Sequence, residues 1–132
     1  PPLRTQKDTE VLIKALKEGI IDFVTSDHNP LDTELKKVEF DHAAYGTIGL
    51  ESAFGALNQI FSTKKAIQLL TKGKERFGAI ASSIEEGEIA NITLFDPNTK
   101  YEFNKSDILS KSKNSAFLSS IRKHTAQTPY GF

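Results

Sequence analysis

The segment that most constrains the fold is residues 20–25, which follow a helical pattern directly and lead into the polar run TSDHNP at 25–30. Apolar and β-branched side chains dominate the segment and Gly19 precedes it, so the pattern predicts a buried strand. Residues 8–18 carry apolar side chains at helical spacing, which predicts a helix that Asp8 caps and Gly19 ends. A helix, a short turn and a buried strand in succession are typical of α/β proteins.

Asp27 and His28 stand where this predicted strand ends. Catalytic residues and metal ligands gather at the carboxyl ends of strands in barrel folds, so Asp27 is a candidate for either role. The alternative is a purely local one, because Asp, Asn and Pro are ordinary turn formers and Asp27 could cap a turn. His28 could orient Asp27 or a substrate, but we favour a supporting or packing role for its ring.

Composition narrows the classes of function. The chain has 132 residues, which is enough for one domain with a core, and its 17 basic residues balance 17 acidic ones. This balance argues against nucleic acid or an anionic membrane as the main partner. Because cysteine is absent, a metal would need oxygen and imidazole ligands, as zinc or a harder ion accepts.

Two absences bear on the type of protein. No apolar stretch is long enough to span a bilayer and no signal peptide is visible, so we expect a cytoplasmic protein. The chain contains no methionine and opens on PPLR, so we expect a segment of a longer protein.

Further helices are predicted after a long charged connection over residues 31–46. That connection has a helical-turn pattern at 34–37, and its Lys36-Lys37 pair is predicted to be a solvated face, as is Lys64-Lys65. Apolar spacing predicts helices over 50–61 and 63–72, the latter capped by Ser62 or Thr63 and ended by Gly73.

The pattern changes to strands and turns from residue 84. Residues 89–95 read as a strand, 96–99 as a turn, and 101–103 as a short partner strand. Residues 110–132 predict no element. Up to residue 73 the pattern gives one strand among three helices, which is too few for a complete α/β domain and again favours a piece of a larger barrel.

Several motifs occur in an order and spacing that together resemble one family. They are PPLR at 1–4, Asp8 opening a helix, GIID at 19–22, SDHNP at 26–30, ELK at 34–36 and YGTIGLE at 45–51. This set resembles the C-terminal part of dihydroorotase, in the longer bacterial branch within the amidohydrolase superfamily. The run GEIANITLFDP at 87–97 is similar to the small β-domain of that superfamily.

The resemblance implies an α/β fold. It implies that residues 1–83 are the C-terminal portion of a metal-dependent (β/α)₈ TIM-type barrel, and that 84–110 are part of the small β-domain, with 111–132 unassigned. It also implies the activity, which is reversible hydrolysis of the cyclic amide of dihydroorotate to N-carbamoyl-aspartate in pyrimidine biosynthesis.

The resemblance assigns three residues of this chain to the site. Asp27 matches the aspartate that binds the metal and carries a proton to the leaving nitrogen, and Tyr45 and Gly46 match the backbone that contacts the substrate ring. A tight turn before the helix at Leu50 explains Tyr45-Gly46 equally well. One or two zinc ions are implied, whose other ligands lie upstream of this chain, so we expect the chain alone to be inactive. His28, His42 and His124 do not replace those ligands, and His42 is predicted to be a solvated loop residue.

Leu31 is a departure from the family, which usually has a substrate-binding histidine four residues after the aspartate. A leucine cannot donate a hydrogen bond to a substrate carboxylate, so this position keeps alternatives open. One is a catalytically silent dihydroorotase-like scaffold subunit, for example for aspartate transcarbamoylase. Another is an allantoinase- or hydantoinase-type cyclic amidase, and a third is a non-catalytic interaction domain. The expected partners are a small-molecule substrate and either further copies of the chain or aspartate transcarbamoylase.

Overall fold

The computed structural model describes residues 4–79, 83–89, 91–123 and 130–131. Pro1, Pro2, Leu3, Ala90 and His124, to which predictions were attached, lie outside the described residues, as do 125–129 and 132 of the predicted tail. Within the described ranges the helices are α1 (Gln6–Glu18), α2 (Leu50–Ile60), α3 (Thr63–Thr71) and α4 (Gly73–Arg76), and the strands are β1 (Asn91–Ile92), β2 (Lys100–Phe103), β3 (Ser120–Lys123) and β4 (Tyr130–Gly131).

Helix α1 begins earlier than predicted. Thr5, not Asp8, is the N-cap: the Thr5 hydroxyl accepts from the Asp8 N–H at 3.3 Å, and the Asp8 carboxylate accepts from the Thr5 N–H at 3.1 Å. This reciprocal pair satisfies two of the free donors at the start of the helix, so Asp8 supports the cap from the first turn. The predicted end is confirmed, since Gly19 follows Glu18 with φ 77°, the left-handed conformation that glycine adopts most easily.

The predicted buried strand at 20–25 is wrong as a hydrogen-bonded strand. The described residues contain no ladder there, and Ile20 is 74% exposed. The Val24 N–H instead donates to the Leu69 carbonyl at 2.8 Å. A central barrel strand needs a strand on each side. The extended segment meets only one such neighbour in the described chain, through a parallel bridge between His28 and Thr47.

Helices α2 and α3 match their predicted positions closely. The Ser62 hydroxyl accepts from the Lys65 N–H at 3.4 Å and caps α3 as predicted. Gly73 does not end the helical region as expected; it begins the short helix α4 instead. Helices α2 and α3 contact each other, and Leu57 of α2 and Leu69 of α3 are buried.

The strand pairing differs from the predicted local hairpin. β1 is only two residues long and pairs antiparallel with β4, while β2 pairs antiparallel with β3. Residues 120–123, for which no element was predicted, therefore provide the partner of β2. Phe103 of β2 is buried with Ile48 and Ile108, and Phe117 packs against this cluster. The second half of the chain thus packs against the start of α2 through this apolar cluster.

The chain leaves an unusual amount of surface open. It exposes 10236 Å², whereas a folded monomer of this mass exposes about 6,900 Å² by the usual area scaling. Large apolar side chains contribute to this surface, among them Val11 and Leu12 on α1. None of the helices in the described ranges is long and apolar enough to cross a bilayer.

Candidate active site

Asp27 ends the extended segment in a strained conformation. Its φ is 44°, which is uncommon outside glycine but favoured by Asp and Asn among the other residues. Its N–H donates to the Thr25 hydroxyl at 3.3 Å, and the side chain is exposed. The carboxylate has no hydrogen-bond donor within the described part of the chain. It is therefore available to a ligand, as the predicted role requires.

His28 joins this segment to the start of α2. Its Nδ1 accepts from the N–H groups of Gly49 and Leu50, both at 3.2 Å. Because Nδ1 accepts, the ring proton resides on Nε2, which lies 3.4 Å from the Ser110 hydroxyl oxygen. Both ring nitrogens are thus engaged by protein groups, in line with the supporting role favoured for His28.

Glu51 completes a network that the sequence did not reveal. Its Oε1 accepts from the Leu109 N–H at 3.0 Å, from the Ser110 N–H at 2.8 Å and from the Ser110 hydroxyl at 2.9 Å. The Ser110 hydroxyl therefore accepts from His28 and donates to Glu51. This direction is opposite to that of a catalytic serine, whose hydroxyl gives its proton to the imidazole. The network is supporting rather than nucleophilic.

The pKa of Glu51 reflects the same contacts. Burial of the carboxyl group alone would raise this pKa, but the hydrogen bonds from the Ser110 N–H, the Ser110 hydroxyl and the Leu109 N–H, together with the nearby His28, outweigh burial. The pKa of Glu51 consequently lies below its usual value of 4.5. Its second oxygen, Oε2, is buried without a hydrogen-bond partner in the described chain. One carboxylate oxygen thus holds all three donors.

Tyr45 and Gly46 lie beside the Asp27 segment. The bridge between His28 and Thr47, with the Asn29 N–H donating to the Thr47 carbonyl at 2.9 Å, makes the two segments neighbours. The Asn29 side chain also donates to the Tyr45 carbonyl at 3.2 Å. Tyr45 itself is 75% exposed. Hydrogen bonds therefore fix the backbone here, while the tyrosine side chain is exposed to solvent.

The Gly46 carbonyl is held from two directions. It accepts from Lys36 Nζ at 3.0 Å and from Asn114 Nδ2 at 2.9 Å. Lys36 also donates to the Ala44 carbonyl at 2.5 Å. The prediction that Lys36 is a solvated face is therefore wrong, because its partly buried ammonium group closes the 31–46 loop. His42 is exposed in this loop, which confirms its predicted position.

Leu31 packs directly over Gly46. A Cβ placed on Gly46 would lie 2.9 Å from Leu31 Cδ1 and 2.7 Å from Asn29 Nδ2, and the φ of Gly46 is 149°. This φ favours glycine, and a Cβ would also require the ends of the Leu31 and Asn29 side chains to move. Leu31 and Gly46 are thus in contact, and both are half-buried.

A complete metal site is not present in the described residues, which contain no group of three or more His, Asp or Glu side chains close enough to hold an ion. Asp27 offers an exposed carboxylate, which suits a hard or borderline divalent ion. Zinc sites usually use three or more protein ligands. A zinc ion would therefore need ligands besides Asp27.

The geometry of the site does not identify a protein family, but comparison of the sequence with known proteins does. The chain is 42% identical to the dihydroorotase of Caldicellulosiruptor saccharolyticus over 135 residues, which are 97% of this chain and 31% of that protein. It is 38% identical to the dihydroorotase of Sulfurihydrogenibium sp., covering 100% of this chain and 32% of the relative. The resemblance to dihydroorotase is confirmed. The dihydroorotase-like chain spans about a third of the length of these relatives, and no family model matches it.

Solved structures settle the fold class of this dihydroorotase-like chain. D-Hydantoinase (dihydropyrimidinase) from Thermus sp. aligns with a TM-score of 0.84 at 24% identity, over 99% of this chain and 31% of that one. Dihydropyrimidinase from Brevibacillus agri aligns with a TM-score of 0.81 at 25% identity, with the same coverage of both chains. The fold is therefore α/β, of the amidohydrolase type.

Proposed function

We propose that this chain is the C-terminal part of a dihydroorotase, in which the extended segment at 20–25 becomes the last barrel strand when strands of the whole protein pair with it, followed by Asp27 and part of the small β-domain. The observation that carries the proposal is Asp27, an exposed carboxylate directly before His28, whose backbone bridges to Thr47 next to Tyr45 and Gly46, in a chain 42% identical to a dihydroorotase. The large open surface supports it, because barrel strands and helices would cover apolar faces such as that of α1.

The domain boundaries remain part of this proposal, with the barrel portion at residues 1–83 and the β-domain from residue 84. The pairing of β2 with β3 supports extending the β-domain beyond residue 110 to at least residue 123. Further copies of the chain, or aspartate transcarbamoylase, stay proposed partners besides the substrate.

The mechanism proposed for Asp27 is proton transfer in the hydrolysis of dihydroorotate. Zinc, as one or two ions in the complete site, would be held in part by Asp27 and would supply a water of lowered pKa, about 7. Asp27 takes the proton of the attacking water while the oxygen bonds to the ring carbonyl carbon. It then gives that proton to the ring nitrogen as the C–N bond breaks, which yields N-carbamoyl-aspartate. The Tyr45–Gly46 backbone orients the ring.

Replacing Asp27 by asparagine in the whole protein tests this proposal. The amide keeps the shape but cannot carry the proton, so we expect kcat to fall by about 10²–10⁴-fold with dihydroorotate as substrate. Asp41→Asn is the matched control, since Asp41 is an exposed carboxylate of the 31–46 loop and should leave kcat unchanged. A near-native kcat for Asp27→Asn would exclude the assigned role.

Leu31 favours a second candidate function, hydrolysis of a cyclic amide that carries no carboxylate. Its apolar side chain covers Gly46 where the family places a histidine for the substrate carboxylate. Assaying the whole protein with a hydantoin and with dihydroorotate separates the two candidates, because turnover of hydantoin alone would favour the second. No turnover of either substrate by the metal-loaded protein would favour the scaffold alternative.

A further inference from the structure

One short segment, residues 108–114, contacts both halves of the proposed site from more than fifty residues away in sequence. We call it the strap. Ile108 anchors its first end, since it is 3% exposed and packs with Ile48 and Phe103. Lys113 closes the strap on itself by donating from Nζ to the Ile108 carbonyl at 2.6 Å. The strap is therefore a compact, anchored turn.

The first contact of the strap leads to Asp27. Ser110 links Glu51 to the His28 ring, and that ring also accepts from two N–H groups at the start of α2. His28 follows Asp27 directly, and Asp27 is held at φ 44°. A strained backbone of this kind persists only where its surroundings fix the neighbouring residues. The fixed ring of His28 supplies that constraint.

The second contact of the strap leads to the substrate backbone. Asn114 donates from Nδ2 to the Gly46 carbonyl, and its own carbonyl accepts from the Thr47 hydroxyl and the Ile48 N–H, each of the three at 2.9 Å. Three hydrogen bonds thus connect one strap residue to three successive residues of the proposed substrate segment. The two contacts use different residues and different partners.

We propose that the strap positions the proposed site, with Ser110 setting Asp27 through His28 and Asn114 setting the Gly46 backbone. Ser110 and Asn114 are positioning residues, because neither touches a reacting atom. The proposal rests on the proposed function for its kinetic consequence but not for its structural one. It predicts that the two contacts affect different kinetic constants.

The kinetic test compares Ser110→Ala, Asn114→Ala and the control Lys111→Ala in the whole protein. Ser110→Ala should lower kcat by about 10-fold with little change in KM. This is the lower end of the loss expected when a residue that orients a metal ligand is removed. Asn114→Ala should raise KM by about 2–10-fold with little change in kcat, as expected for one hydrogen bond. Ser110→Thr keeps the hydroxyl and should restore kcat. Lys111 is exposed on the strap, and its variant should match the unmodified protein.

A merely structural role for the strap would lower the folded fraction, so both variants would lose kcat alike with an unchanged KM. That result, or wild-type constants in both variants, would overturn the proposal. If the unmodified whole protein turns over no dihydroorotate, the proposed function fails, and amide hydrogen exchange then decides the strap. The N–H groups of Gly49 and Leu50 should exchange about 5-fold faster in Ser110→Ala than in Lys111→Ala. Equal exchange in those two variants would overturn the proposal in that case.

Discussion

Replacing Gly49 by alanine would separate the start of α2 from the Asp27 segment. A Cβ on Gly49 would collide with the Ser26 carbonyl oxygen and lie 3.4 Å from Ser26 Cβ. The obstacle is backbone, so it cannot rotate away as a flexible side chain would. The first turn of α2 must therefore move, and the two N–H groups that donate to His28 must move with it.

The expected cost follows from these contacts. Crowding in a packed site costs about 1–3 kcal/mol, and each weakened hydrogen bond to His28 adds about 0.5–1.5 kcal/mol, giving about 2–6 kcal/mol in total. The loss falls on the local opening of α2, whose first turn includes the Ser52 and Ala53 N–H groups bonded to the Gly49 carbonyl. At about 1.4 kcal/mol per factor of ten, exchange of these two amides should accelerate by at least about 30-fold.

Native-state hydrogen exchange of the whole protein measures this directly, with Gly19→Ala as the matched control. A Cβ on Gly19 meets no atom within 4 Å, and its φ of 77° adds only local strain of about 1–2 kcal/mol at the end of α1. The control should leave the Ser52 and Ala53 amides unchanged. Unchanged exchange of those amides in Gly49→Ala would refute the reasoning that Gly49 is required for the close approach.

Two further predictions concern the site and its acid sensitivity. Leu31→His in the whole protein should lower KM for dihydroorotate, because a hydrogen bond to a charged group contributes about 1.5–3 kcal/mol to binding. An unchanged or higher KM would mean that Leu31 belongs to a pocket for another cyclic amide. Because the pKa of Glu51 lies below its usual 4.5 in the folded chain, Glu51 stabilises the fold above that value and this stabilisation is lost as pH falls through the lowered pKa. Urea midpoints followed downward from neutral pH should therefore decline less in Glu51→Gln than in the unmodified protein, and parallel curves would contradict this assignment.

The helices could be predicted from the sequence because their signals are local. Apolar spacing and the Ser62 cap placed α2 and α3 almost correctly, and Gly19 marked the end of α1. The one error at α1 came from a capping box, in which Thr5 and Asp8 cap reciprocally and either residue alone looks like the cap. The position of Asp27 after an extended segment was also a local inference, although its role stays a prediction.

The strands and the supporting contacts could not be predicted because they depend on distant parts of the chain. The run at 20–25 has strand-forming side chains, yet a strand needs partners that local pattern does not specify. β2 pairs with β3 across a separation of about twenty residues, rather than with the nearer run at 89–95. Ser110 and Asn114 are ordinary polar residues in a segment without periodicity, and only the fold brings them to His28 and Gly46.

The separation between the strap and the site has a consequence for the order of folding. Ser110 lies 82 residues after His28, and Asn114 lies 67 residues after Thr47. Closing a loop of that length costs about 4 kcal/mol of chain entropy before any contact is gained. During synthesis, the contacts of Ser110 and Asn114 with the Asp27 region can therefore form only after most of this chain has emerged. Helices α1 to α3 can form early, while the geometry around Asp27 is completed among the last steps.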